Sequence, residues 1–597
     1  MDASLTPPRR PRGGRALRLL LEALAVTALA VVSLLAVWSH QRDDSPTSDE
    51  AIHLFSGAEA LEDGFGWLNP EHPPLLKLAG AFALRPLGLR TPCEITPCTS
   101  SPFGGYSQWL YGNRAPAHAI VAAGRRPFPW LLAALVVAMH LCVRPHAGPV
   151  AALLATGLVA FDPTFVAHAA YVHTDVGAAL AFLLVTALCA RAAAGTTLWR
   201  WLVLGLALGL ALVTKFSTVL LVPVVVAAGL SGFLRRREES EVPGRSRVVT
   251  RDRAIGALLA LGIAALVVQG VYGAVLRRMS PELAEASIRS YLQGRPARPD
   301  EVERYAALAR IAPPLGHYVA GARGVALLSE RGRGANFFRG EVSERGFPLY
   351  FPAVLLLKST PAFLAILVCA LPLGILRIRS GGPLPAASHA LAVLVALGLS
   401  AVLLVVATRS TFNIGARHVL PVWTLLVFAG TVVFGRGLAG RPGLRAAAAA
   451  VLVGSAGASL LSAGPSPIAY FNGLAGGAAG GRAWFSDSNV DWGQDLYRLH
   501  VYLQERGWEE TTTIVAFGGV ATNYYSRTAR LLDPEKSIAP GRYAVSHMME
   551  TLGTRFTREF EGEAAARQVD ELLKALKARG RRIALVGGSI TIWELPG

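Results

Sequence analysis

Apolar residues along this chain gather into blocks of roughly 14–22 positions, the length scale of a bilayer crossing. The blocks fall at Leu19–Trp38, Phe128–Val143, Gly148–Phe161, Val176–Ala190, Trp201–Val213, Val219–Phe233, Ala254–Val275, Pro361–Leu376, Ala390–Ala407, Val419–Phe434 and Leu444–Leu461. They predict an α-helical polytopic membrane protein with about eleven transmembrane helices. The first block exceeds the apolar core of a secretory signal, about 7–15 residues, and no small-residue cleavage site follows it, so it reads as a retained helix.

Between the blocks lie three long polar segments, 39–127, 276–349 and 462–597. In the first, Pro73–Leu89 is apolar but short, with Lys77 and Arg85 able to snorkel. It reads as an interfacial helix, although a buried core helix or a re-entrant segment has the same pattern. The second is arginine-rich and partly helical. In the third, strand-like runs at Thr512–Phe517, Arg582–Val586 and Ile590–Trp593 alternate with a helical stretch at Ala564–Arg579, which predicts a small α/β domain over 462–597. No internal repeat suggests a transporter built from two halves.

Composition agrees with this reading. Hydrophobic residues make up 52% of the 597 and charged residues only 16%, where a soluble domain carries about a quarter. The net charge of +18 raises the question of nucleic acid. The arginines instead cluster at 9–18, at 235–253, at Arg377 and Arg379, and at Arg436, Arg441 and Arg445. That distribution follows the positive-inside rule, and no basic face interleaved with aromatics is present. Residues 1–18 are therefore expected on the cytoplasmic side, the chain to be multi-pass, and the C-terminus to be extracytoplasmic. Cys142, Cys189 and Cys369 fall inside apolar blocks as inert thiols, whereas Cys93 and Cys98 can close a short outer loop by a disulfide.

Polar chemistry collects beside the expected outer ends of the crossings. Asp49-Glu50 follows the first block, and Asn69-Pro-Glu-His-Pro-Pro74 sets Glu71 and His72 before the interfacial helix. Such acids serve as a base, hold a divalent cation, or are simply solvated. Asp162-Pro163, His168 and Tyr171-Val-His-Thr-Asp175 fill a short turn between apolar blocks. A charged side chain at a helix centre costs about 2.5–3.5 kcal/mol, so Asp175 is expected to face a water-filled cavity. His168 and His173 are equally at home as hydrogen-bonded structural histidines. Lys215, Lys358 and Arg417-His418 place cations on the same side, where snorkelling or phosphate binding would suit them. Acids and phosphate-binding cations at one membrane face point to group transfer from a phosphorylated lipid.

These motifs, in order from residue 49 to about 420, resemble the bacterial branch of the protein O-mannosyltransferase and aminoarabinose transferase superfamily, the GT-C integral membrane glycosyltransferases. The matching pieces are Asp49-Glu50, Asn69–Pro74, Asp162-Pro with Thr174-Asp175, Thr214-Lys-Phe-Ser217, Tyr350-Phe-Pro with Lys358, and Asn413–His418. The resemblance implies a polyprenyl-phosphate sugar donor, inversion at the anomeric carbon, and an acceptor that is protein, lipid or polysaccharide. It implies a bacterial plasma membrane location and no nucleic-acid partner. By it, Asp49, Glu50 and Asp175 are the catalytic acids; His72, His173, Lys215, Lys358, Arg417 and His418 bind substrate; and Glu71 matches a position that in some relatives helps hold a divalent metal. His72 departs from the lysine found there in those relatives. Asp487-Ser-Asn-Val-Asp-Trp-Gly-Gln-Asp495 resembles a segment of a bacterial subgroup. It also mimics the start of a calcium loop, but Trp492 and Arg498 stand where Gly and Glu are required. A transporter or flippase of lipid-linked sugars is the alternative. It calls for midplane polar residues and paired halves. A polymer-binding subunit with a degenerate site is disfavoured by the retained acids.

Overall fold

The computed structural model describes residues 12–66, 68–96, 105–195, 197–235, 245–331, 334–381, 387–518, 520–526, 530–533 and 535–597. The fold is mainly helical. Among these residues eight helices are long and apolar enough to cross a membrane, and Leu198–Leu212 and Phe216–Ser231 are shorter apolar helices. The expectation of about eleven crossings counts both shorter helices and divides one long run. That run, Phe128–Ala160, is broken at Gly148 (φ 81°, ψ 178°), a conformation open to glycine, with Pro149 immediately after it. The chain is a multi-pass membrane protein, and its outward helix faces carry side chains such as Leu258, Val368 and Val451, each at least 70% exposed.

Inside a bilayer, helices associate by close packing of small residues rather than by the hydrophobic effect. Leu198–Leu212 shows this against Arg245–Val275. A Cβ on Gly205 would lie 2.7 Å from the Ala260 carbonyl oxygen, and one on Gly209 would lie 2.6 Å from Val267 Cβ. Gly205 and Gly209, four residues apart, thus let two backbones approach.

The first long polar segment is folded rather than loose. Glu50–Ala58, Leu75–Phe82, Tyr106–Tyr111 and Ala117–Arg125 are helical. Leu75–Phe82 packs on Glu50–Ala58 and Ala117–Arg125, so its pattern belongs to a core helix. Lys77 does not snorkel: it is buried, and its Nζ donates to the Asn69 carbonyl at 2.9 Å. Arg85 is exposed and pairs with Glu62. Cys93 is disulfide-bonded and Cys142, Cys189 and Cys369 are free; Cys98 lies outside the described residues. In the second segment the helices Pro281–Gln293, Pro299–Ile311 and Pro313–Arg331 precede a hairpin of Asn336–Phe338 and Glu341–Ser343.

The C-terminal domain carries a five-stranded mixed sheet. Its order is Arg530–Leu531, Thr512–Val515, Gly541–Ser546, Ile590–Leu595, Arg581–Val586. The first two pairings are parallel and the last two antiparallel. Helices His547–Phe560 and Glu563–Arg579 join the third strand to the Arg581–Val586 edge. Its apolar clusters begin at Leu496, whereas Ile468, Phe471, Phe485, Val490 and Trp492 pack into the same core as the membrane helices.

Candidate functional site

Asp49 and Asp175 face the same group. Asp49 begins the helix Glu50–Ala58 but makes no capping bond with its side chain. Its Oδ2 accepts from Arg417 Nη1 at 2.7 Å and lies 3.4 Å from His173 Nε2. Arg417 Nη1 also lies 2.8 Å from His173 Nε2. On the other edge of that ring, His173 Nδ1 is paired with Asp175 Oδ2, and Lys215 Nζ with Asp175 Oδ1. The arrangement assigns the proton of His173 to Nδ1, held by Asp175, and leaves the Nε2 lone pair for Arg417. One imidazole therefore bridges two acids, each balanced by its own cation.

The pocket is assembled from distant stretches of chain. Arg417 lies in a short 3-10 turn, Ala416–Val419, whose Ala416 N–H donates to Asn489 Oδ1 at 3.0 Å. The guanidinium carbon of Arg417 sits 4.2 Å from the Trp492 ring centre, and that indole also meets the rings of His168, Tyr171 and His173 edge-on. Trp492 and Asn489 thus roof the site. Nothing in the sequence signalled this beyond the unassigned Asp487–Asp495 motif. The calcium reading of that motif is not supported by its side chains. Asp491 accepts from the Gly493 and Met548 backbone amides, and Asn489 Nδ2 donates to the Tyr350 hydroxyl.

Other candidates are placed elsewhere. Glu50 is fully buried and faces away from Asp49. Its carboxylate takes a bidentate pair from Arg125 at 2.6 and 2.8 Å, and the N–H groups of Thr47 and Val172. Arg125 donates in turn to the carbonyls of Gln41, Asp44 and Ser45. Glu50 is therefore a clamp. It holds the approach to the first helix against the loop that carries His173. Lys358 is also buried; it donates to the Ile468 and Asn489 carbonyls at 2.7 and 2.8 Å and lies over Phe471. Burial drives its ammonium down to about 7, and its contacts tether the roof rather than open onto the pocket. Glu71 pairs with Arg295, which stacks on Tyr291, so the residue expected at a metal is engaged by a cation. His418 sits between Phe351 and Phe412, with its buried Nε2 lacking a hydrogen-bond partner among the described residues.

His72 and His173 meet a histidine that motif reading passed over. His53 lies one helical turn beyond Asp49, its N–H donating to the Asp49 carbonyl, so both project from one face. The three rings pack edge to face with centres 4.7–5.6 Å apart. Burial, then neighbouring histidine charge, holds His53 and His72 well below the usual imidazole range. Behind His72 a small cavity is lined by Ser56, Pro70, Lys77, Tyr272 and His317.

No protein with a curated description matches the chain in sequence. Among solved structures it is similar to the Archaeoglobus fulgidus oligosaccharyltransferase, at 10% identity over 92% of this chain and 72% of that one, TM-score 0.47. It is also similar to ArnT from Cupriavidus metallidurans in the apo state, at 13% identity over 98% and 99% of the two chains, TM-score 0.30. A third is the S. cerevisiae protein O-mannosyltransferase Pmt1-Pmt2 complex bound to the sugar donor, at 19% identity over 43% and 34%, TM-score 0.33. The family model described as dolichyl-phosphate-mannose-protein mannosyltransferase matches residues 125–243, the stretch that carries Asp162, His173, Asp175 and Lys215. Residues 125–243 therefore carry the sequence pattern of that mannosyltransferase family, which agrees with the resemblance read above from short motifs.

Proposed function

We propose that this chain is an inverting glycosyltransferase that moves a sugar from a polyprenyl-phosphate carrier to an acceptor at the extracytoplasmic face of a bacterial plasma membrane. The observation that carries this reading is the joint placement of Asp49, His173 and Asp175 with Arg417 and Lys215 in one pocket. In the proposed step Asp49 takes the proton of an acceptor hydroxyl. The acceptor oxygen forms the new bond to the anomeric carbon as the carbon–oxygen bond to phosphate breaks, with the electron pair leaving on phosphate. Arg417 and Lys215 stabilise that leaving charge, exchanging part of their pairing with Asp49 and Asp175 for phosphate oxygens. Asp175 fixes the His173 ring, which in turn orients Asp49 and Arg417.

The test is transfer of labelled sugar from a synthetic polyprenyl-phosphate donor by the purified chain. Membranes from cells that lack the chain supply the acceptor. Labelled product that depends on the chain supports the reading. Movement of the labelled lipid across liposomes without any glycosylated product would replace it with the flippase alternative.

A further inference from the structure

We propose that His53, His72 and His173 form a binding site for a late first-row divalent cation of the Zn2+ class, at the floor of the acidic pocket. One ring nitrogen of each residue lies within 4.8 Å of those of the other two. The residues come from three separate pieces of chain: a helix, the Pro-fixed turn before Leu75–Phe82, and the loop before Asp175. Their convergence is not a by-product of local helical spacing.

Two observations favour an ion over simple packing. The rings of His53 and His72 make no hydrogen bond among the described residues, although His53 is buried and His72 half-buried. A buried imidazole normally satisfies at least one nitrogen, and an ion is one of the few partners that satisfies several together. Further, the Nδ1 edge of His173 is held by the Asp175 carboxylate. This is the carboxylate–histidine pairing that fixes a metal ligand's tautomer and raises its basicity.

Three imidazoles suit zinc and its neighbours, and the oxygen-seeking Mg2+ and Ca2+ poorly. Asp49 Oδ2, 3.4 Å from His173 Nε2, supplies negative charge beside the open fourth position. Arg417 shares Nε2 in the metal-free arrangement. Capture of the ion displaces it from the ring while its bond to Asp49 persists. The site differs from the Glu71 position suggested by family resemblance, because Glu71 is held by Arg295.

The inference does not rest on the transferase reading, and its test needs no donor or acceptor. Full-length protein in detergent is stripped with chelator, loaded with Zn2+, desalted and assayed by elemental analysis. About one ion per chain is expected. Retention should be lost in His53→Ala and His72→Ala, unchanged in Glu71→Gln, and weakened roughly 10–100-fold in affinity by Asp175→Asn. No ion on the wild-type chain, or retention by both histidine variants at the wild-type level, overturns the proposal. Loss in Glu71→Gln with retention in the histidine variants also overturns it. Should the histidine variants fail to fold, Co2+ loaded into the wild-type chain carries the test. Intense visible bands of a tetrahedral centre, displaced by Zn2+, support it; weak bands of a solvated six-coordinate ion refute it.

Discussion

Replacing Asp49 with Asn separates the chemistry of the proposed site from its architecture. The amide keeps the shape of the carboxylate, and its Oδ1 still accepts from Arg417, but it cannot take a proton. A positioned general base contributes about 10²–10⁴-fold in rate, which is about 2.7–5.4 kcal/mol of barrier. Stability should change far less. The Asp49 side chain is 21% exposed, and Arg417 retains His173 Nε2 at 2.8 Å and the face of Trp492. Weakening one charge-assisted bond while keeping its geometry costs about 1–2 kcal/mol. The expected result is a monodisperse Asn variant whose unfolding midpoint lies near wild type and whose initial transfer rate, measured in nanodiscs, falls by at least about 100-fold. A well-folded variant that transfers sugar at close to the wild-type rate would remove Asp49 as the proton acceptor.

Glu50→Gln is expected to act the other way, costing about 3–5 kcal/mol because it leaves the Arg125 charge buried without its partner. Differential scanning fluorimetry showing an unchanged midpoint would dismiss the clamp. Trp492→Ala should lower stability by about 3–5 kcal/mol through the cavity left over Arg417; a midpoint equal to wild type would mean that the roof is not seated as described. Glu59 gives a pH prediction. Burial raises its carboxyl from 4.5 to about 8, so between these values the unfolded chain ionises first. Its contribution to stability therefore falls as pH rises across that window. Glu59→Gln should remove part of this decline in melting curves taken from pH 5 to 8, and parallel curves for the two proteins would contradict the assignment.

Much of the fold could be read from apolar block length, because a helix in lipid must satisfy its own backbone and so needs a long uninterrupted apolar run. The break at Gly148 was legible as Pro145 between two blocks and Gly148-Pro149 at the start of the second. The strand Gly541–Ser546 was not, since its partners are set by a crossover that no local pattern reveals. At the site, Asp49, His173, Asp175, Lys215 and Arg417 were all identified from short motifs and do converge. Glu50 and Lys358 satisfied the same motifs and point elsewhere. Adjacency in sequence places Asp49 and Glu50 about 100° apart around a helix, so only one of them can face the pocket. Arg125, Arg295 and Trp492 were missed because an arginine or tryptophan reads alike whether it neutralises a distant acid or faces lipid. His53 carried a usable signal, its i+4 spacing from Asp49.

The Lys358 and Asn489 contacts also bear on how the protein can be divided. Sequence reading ends the membrane unit at residue 461, yet the polypeptide up to Trp492 completes the interior of that unit and covers its reactive end. A truncation designed at 461 would therefore yield an open, unroofed cavity, and one placed after Asp495 would strip this strap of its bonds to Met548, Glu550 and Ser589, leaving the buried Asp491 and Asp495 without those partners.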